Sequence, residues 1–147
     1  MPHLGPPRDP HNLGYEAESR FLQAVSSLGV FKEIKYENDL KREHGWALIS
    51  IDFLLVADNG LVPVQIKYRR SRRRENHGIE NFISSLEHLS KCYKDPVLFG
   101  MWVSRLKPFE DNQERLQKHK VFCIDCYDSI DGLVKAAVDS IGTALST

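Results

Sequence analysis

Three polar residues stand where a buried strand should be apolar. Ile51-Asp52-Phe53-Leu54-Leu55-Val56 and Leu61-Val62-Pro63-Val64-Gln65-Ile66-Lys67 are β-branched and aliphatic runs separated by Asp58-Asn59-Gly60, the pattern of a hairpin. Asp52 interrupts the first run, Gln65 and Lys67 the second. A buried, unpaired charge costs on the order of several kcal/mol, so the three are expected to share one environment. Strand residues two apart face the same way, which sets Gln65 beside Lys67; pairing across the hairpin brings Asp52 near both, with the register open. A carboxylate, an amide oxygen and a nearby backbone carbonyl make a hard-oxygen site suited to Mg²⁺ or Mn²⁺. The ammonium is then free to orient a water or help deprotonate it.

The second strand runs directly into Lys67-Tyr68-Arg69-Arg70-Ser71-Arg72-Arg73-Arg74, six cations in eight residues. Arg grips phosphate oxygens through two parallel hydrogen bonds, so Arg69, Arg70, Arg72, Arg73 and Arg74 are candidate nucleic-acid contacts. Tyr68 either stacks on a base or packs.

Asp52, Gln65-x-Lys67 and the helix that precedes them resemble the half-site of the PD-(D/E)xK nuclease superfamily in its Gln-x-Lys form, as in Mrr- and McrC-like restriction nucleases and Holliday-junction resolvases. The resemblance covers about Tyr15 to Val103. It implies a restriction-endonuclease-like α/β fold: an αβββαβ core with a mixed central sheet flanked by helices, here with an extra C-terminal strand and helix. It implies Mg²⁺- or Mn²⁺-dependent hydrolysis of phosphodiesters, most naturally in DNA. Asp52, the Ile66 carbonyl and Glu18 would hold the ion, Gln65 would orient a water, and Lys67 would assist its deprotonation. Glu18 is chosen because its Ala-Glu pair stands eleven residues before Gly29; Glu16 is the alternative. Gln65 replaces the commoner Glu and removes one negative charge, which weakens metal binding. A non-catalytic nucleic-acid-binding or assembly module on the same fold is the alternative, and an RNA-processing enzyme a weaker third reading. Cutting two strands usually takes two sites, so a homodimer is compatible with the reading.

At 147 residues, 41% hydrophobic and 27% charged, the chain has the composition of one ordinary globular domain. Residues 1–13 carry Pro2, Pro6, Pro7 and Pro10 and read as an irregular lead-in to a single domain over 14–147. No apolar run approaches the ~18 residues of a membrane span, so no membrane partner is expected. Three cysteines, an odd number, suggest free thiols in a reducing, intracellular setting. Twenty Lys and Arg balance twenty Asp and Glu, so bulk charge predicts no partner; only the local basic run does.

The remaining elements position these residues. Ala17, Phe21, Ala24, Val25 and Leu28 recur at helical spacing and Gly29 stops them; Glu16 and Glu18 fall in the first turn, where negative charge suits the helix dipole. Val30–Tyr36 reads as a strand and Asn38–Gly45 as a charged loop with His44 exposed. The hairpin strands are expected over Ala47–Val56 and Leu61–Tyr68, with Pro63 near an edge or bulge for want of an amide hydrogen. Ile79, Phe82, Ile83, Leu86 and Leu89 mark an amphipathic helix, and Val97–Val103 a central strand covered on both faces. Pro108–His119 is polar with room for a short helix, and Lys120–Tyr127 is a further strand. Ser129 caps a last helix with a core stripe from Ile130 to Leu145. Cys123 and Cys126 in a strand point to opposite faces and share no metal. Trp46 and Trp102 read as packing residues.

Overall fold

A computed structural model describes residues 13–48, 50–69, 74–125 and 127–146. Leu13 already belongs to a helix; residues 1–12 of the expected lead-in, and Arg70, Arg72, Arg73 and Cys126, lie outside the described residues. The chain forms α1 (Leu13–Leu28), β1 (Glu33–Tyr36), α2 (Glu37–His44), a 3₁₀ turn (Gly45–Leu48), β2 (Phe53–Ala57), β3 (Gly60–Lys67), α3 (Asn76–Cys92), β4 (Gly100–Ser104), α4 (Glu110–Lys118), β5 (Val121–Ile124) and α5 (Ile130–Ser146). This is an α/β fold around a five-stranded mixed sheet with helices on both faces.

The strands lie in chain order, β1-β2-β3-β4-β5. β1, β2 and β3 form an antiparallel meander; β4 and β5 add in parallel through the α3 and α4 crossovers. Alternation along β3 divides the core. Val62, Val64 and Ile66 face α1 and α5 in one cluster with Phe21, Met101 and Leu133. Leu61 faces the other way, into a cluster with Leu54, Phe82, Trp102 and Leu116 under α3 and α4. Gln65 and Lys67 share the parity of Leu61 and so emerge on the α3 side.

Three expectations are corrected. Asn38–Gly45 is helical in all but its last residue. Asp39 accepts the Tyr36 N–H at 3.1 Å and a 2.6 Å bond from Arg42, and Gly45 closes the helix at φ +65° with its N–H on the Lys41 carbonyl. The first hairpin strand begins at Phe53 rather than Ala47, because residues 45–48 coil into the 3₁₀ turn. Trp46 is 67% exposed, with the Lys41 ammonium 4.2 Å over its ring, whereas Trp102 is buried as expected.

Pro63 lies inside the sheet, opposite Leu54 of β2. Its missing amide falls where β3 pairs irregularly: Leu61 meets Val97 in an isolated bridge, and the regular ladder resumes only at Val64 and Met101. Three steps on β3 thus face four on its neighbour, the two-against-one count of a bulge. The hairpin closes through Asp58 and Asn59. Gly60 is needed for close approach: a Cβ there would lie 2.6 Å from the Pro96 carbonyl oxygen. Ser129 caps α5, its Oγ accepting the Gly132 N–H at 2.9 Å.

Candidate active site

Asp52 precedes β2, anchored by its own N–H to the Val64 carbonyl at 2.8 Å. The β2–β3 register ends at Phe53 and Val64, so the Ile66 amide has no strand partner on that side, and the Asp52 carboxylate fills the gap. Its Oδ2 accepts the Ile66 N–H at 2.7 Å. By the same alternation the Ile66 carbonyl points to the Asp52 side of the strand.

The neighbours fix the orientation of the buried Gln65 amide, since each end needs a partner of opposite kind. Its nitrogen donates to the Ser50 carbonyl and to Asp52 Oδ2 (3.2 Å), while its oxygen accepts from Lys67 Nζ at 3.1 Å. Gln65 therefore bridges Asp52 and Lys67, and the expected hairpin trio is brought together. The amide oxygen that the sequence offered to an ion or a water is engaged by the lysine.

Glu18 arrives from α1, half-buried. Burial pushes its carboxyl up to about 8, with the charges of Asp52 and then Glu37 adding to the effect and Lys67 opposing it. Asp52 is pushed up to about 6 by burial; the Ile66 N–H holds it down, Glu37 raises it and Lys67 lowers it. Asp52 thus ionises first, and Glu18 then has to ionise beside it. Glu16, by contrast, pairs with Arg20 at 3.1 Å on the helix surface, outside this electrostatic group.

Glu37 is the residue the sequence reading missed. It begins α2, a helix whose sequence has no apolar period, and its charge acts on both Glu18 and Asp52. The signal was present: acids at 37 and 39, bases at 41, 42 and 44, then a glycine, complete the sequence grammar of a short helix.

The two described arginines of the basic run are engaged with acids. Arg69 forms an ion pair with Glu75, and Arg74 makes two bonds to Asp111 at 2.9 and 2.8 Å while lying over Phe109. Tyr68 packs: its hydroxyl donates to the Asp128 carbonyl at 2.6 Å. Beside Lys67 a cleft opens at the C-terminal ends of β3 and β4, lined by Arg69, Glu75, Trp102, Ser104 and Asn112. Ligands of open α/β sheets bind at such strand ends. Cys123 is half-buried, its thiol pushed up to about 11 by burial.

Half-buried carboxyls with raised pKa values, a lysine held by an amide bridge and the Ile66 carbonyl can together bind a hard cation and handle a proton. Among the described residues no helix is long and apolar enough to cross a membrane. No family model matches the chain, and no characterised protein or solved structure does either.

Proposed function

We propose that this protein is a nuclease dependent on Mg²⁺ or Mn²⁺ that hydrolyses phosphodiester bonds in DNA on a restriction-endonuclease-like fold. The observation that carries the reading is the pair Glu18 and Asp52, both held well above the ordinary carboxylate range beside Lys67. Two interacting carboxyls partly removed from water, each with its pKa raised by Glu37 and lowered by the single cation Lys67, are under-compensated, and a divalent cation is what relieves them. The donor set fits a hard ion: Asp52 Oδ1, the Glu18 carboxylate and the Ile66 carbonyl are all oxygens. Helix α1, the β1-β2-β3 meander, α3 and the parallel β4 follow the αβββαβ order, which supports the fold reading.

An ion held there would neutralise phosphate charge and acidify a water. The rest falls to the chain. Gln65 fixes Lys67 Nζ at 3.1 Å, so the ammonium meets the scissile phosphate preorganised to orient the attacking water and to stabilise charge that grows in the transition state. Asp52, tied to Ile66 N–H through one oxygen, keeps a fixed orientation for the other. Arg70, Arg72 and Arg73, which follow Lys67 in the sequence, would supply phosphate contacts, and duplex cleavage calls for two copies of the chain.

Gln65 favours a second reading. With its amide satisfied at both ends and one anion fewer than a Glu would supply, the site suits a module that binds nucleic acid without cutting it. Incubating plasmid, four-way junction and single-stranded DNA with Mg²⁺, Mn²⁺ or EDTA separates the two. Metal-dependent cleavage lost in Asp52→Asn supports the nuclease; binding with no cleavage of any substrate supports the module. Cleavage that persists in Asp52→Asn overturns the site.

A further inference from the structure

A second group of metal-ligating side chains lies at the other end of α2. His44 ends that helix, and His88 and Cys92 stand four residues apart on α3, which stacks them on one helix face. One ligand atom from each of the three lies within 4.8 Å of the others. Cys92 Sγ is 3.1 Å from His88 Nε2, and the His44 and His88 rings meet edge-to-face at 5.6 Å between centroids. The Tyr93 hydroxyl, 3.2 Å from His44 Nε2, fixes the plane of the His44 ring, the kind of outer contact that orients metal-bound imidazoles.

We infer that His44, His88 and Cys92 form a Zn²⁺-class metal site that clasps the end of α2 to α3. Two imidazoles and a thiolate are the donors of a borderline ion and a poor set for Mg²⁺. Tetrahedral bonds of about 2.0–2.3 Å place ligand atoms roughly 3.3–3.7 Å apart, so the observed spacings need only small rotamer adjustments. Cys92 is exposed and both histidines are half-buried, His44 against the expectation that it is exposed, which leaves an entry path. Burial and the neighbouring His88 favour neutral imidazole at His44, the form that ligates. On coordination the Cys92 thiol yields its proton to solvent and the thiolate bonds the ion. Water takes the fourth position, because Glu43 Oε1 lies by the Nε2 side of His44 at 3.8 Å and is held by Lys35 Nζ at 2.7 Å. The site shares no residue with the carboxylate group and does not depend on the function proposed for it.

The test uses the full chain with Cys123→Ser and Cys126→Ser, leaving Cys92 the sole thiol. Anaerobic Co²⁺ titration should saturate at one equivalent with a near-ultraviolet thiolate-to-cobalt band and intense tetrahedral visible bands, both bleached by Zn²⁺. Cys92→Ser should abolish the near-ultraviolet band, and His44→Gln and His88→Gln should each weaken Co²⁺ binding by at least about tenfold. Asp52→Asn should leave the band unchanged. No thiolate band in the folded protein, or a band indifferent to both histidine substitutions, overturns the inference. Circular dichroism of each variant identifies any that misfolds, and the other histidine variant then decides.

Discussion

Replacing Glu18 with Gln should make the metal-free protein more stable at alkaline pH while removing its response to Mg²⁺. Folding raises the Glu18 pKa from 4.5 to about 8. A carboxyl whose folded value is raised binds its proton more tightly in the native state, so stability falls as pH climbs from the lower value to the higher and levels off above. At about 1.4 kcal/mol per pH unit, that interval gives an upper figure of about 5 kcal/mol for holding Glu18 ionised. Its partial exposure screens the charge, and relaxation around Asp52 shares the effect, which brings the expectation to roughly 2–3 kcal/mol. Gln carries no such penalty. Near pH 4.5 the two proteins should unfold at similar urea concentrations; at pH 9 the variant should be ahead by that amount, or roughly 5–10 °C in Tm. Glu16→Gln, on the surface pair with Arg20, should follow the wild type throughout. With millimolar Mg²⁺ at pH 9 the wild type should gain stability and Glu18→Gln much less. A Glu18→Gln profile that parallels the wild type from pH 4.5 to 9 would refute both the buried charge and its place in the site.

Asp52→Asn keeps an acceptor for the Ile66 N–H and should stay within about 1 kcal/mol of wild type in urea, whereas Asp52→Ala orphans that amide and should lose about 1–3 kcal/mol; both should abolish Mg²⁺-dependent cleavage on gels. Lys67→Met should leave DNA affinity by fluorescence anisotropy nearly unchanged and stop single-turnover cleavage, and a mutant cutting at the native rate moves the catalytic centre elsewhere. Converting Arg70, Arg72 and Arg73 to Ala should flatten the plot of log affinity against log salt by about 0.9 for each phosphate contact removed; Arg74→Ala, whose partner is Asp111, should leave the slope alone. Gly60→Ala would set a Cβ 2.5 Å from Leu98 Cγ and 2.6 Å from the Pro96 oxygen, and calorimetry should record a loss of roughly 1–3 kcal/mol.

Much of the fold was legible because β-branched runs and helical stripes carry their own period. Phe21 and Val25, the run of α3 from Ile79 to Leu89, and the stripe of α5 became core. The Asp52, Gln65 and Lys67 group could be read because polar residues inside such runs have few ways to be satisfied. Helix α2 was not readable this way: Leu40 is its one buried side chain, so the apolar period is missing and local charge holds it instead. The strand expected from Ala47 is overextended because Leu48 and Ile51, the apolar residues that suggest it, reach the core from a 3₁₀ turn and the segment after it rather than from a strand. The engagement of Arg74 was invisible for another reason. Its partner Asp111 lies 37 residues away, and only the packing of α4 beside α3 brings them together.

The charges of the site set an order of events in the proposed reaction. Near pH 7 Glu18, at about 8, keeps its proton for the most part, while Asp52, at about 6, has mostly lost its own. Asp52 and Glu37 then outweigh Lys67, and a phosphodiester approaching the mouth meets net negative charge in a partly desolvated pocket, where such repulsion is strong. Cation uptake reverses this, since it brings two positive charges and favours the ionised form of Glu18, with release of on the order of one proton below pH 8. The four side-chain charges and the ion then sum to zero, and the phosphate can enter. The cation should therefore bind before the nucleic acid contacts the reacting centre, and more tightly as pH rises toward 8. In the proposed reaction the arginines that follow Lys67 in sequence can hold the flanking backbone meanwhile, since phosphate contacts away from the reacting centre do not require the cation. Gln65 fits the same balance: a glutamate there would leave the site one charge more negative after the cation had bound, and it would attract Lys67 away from the phosphate that Lys67 is positioned to meet.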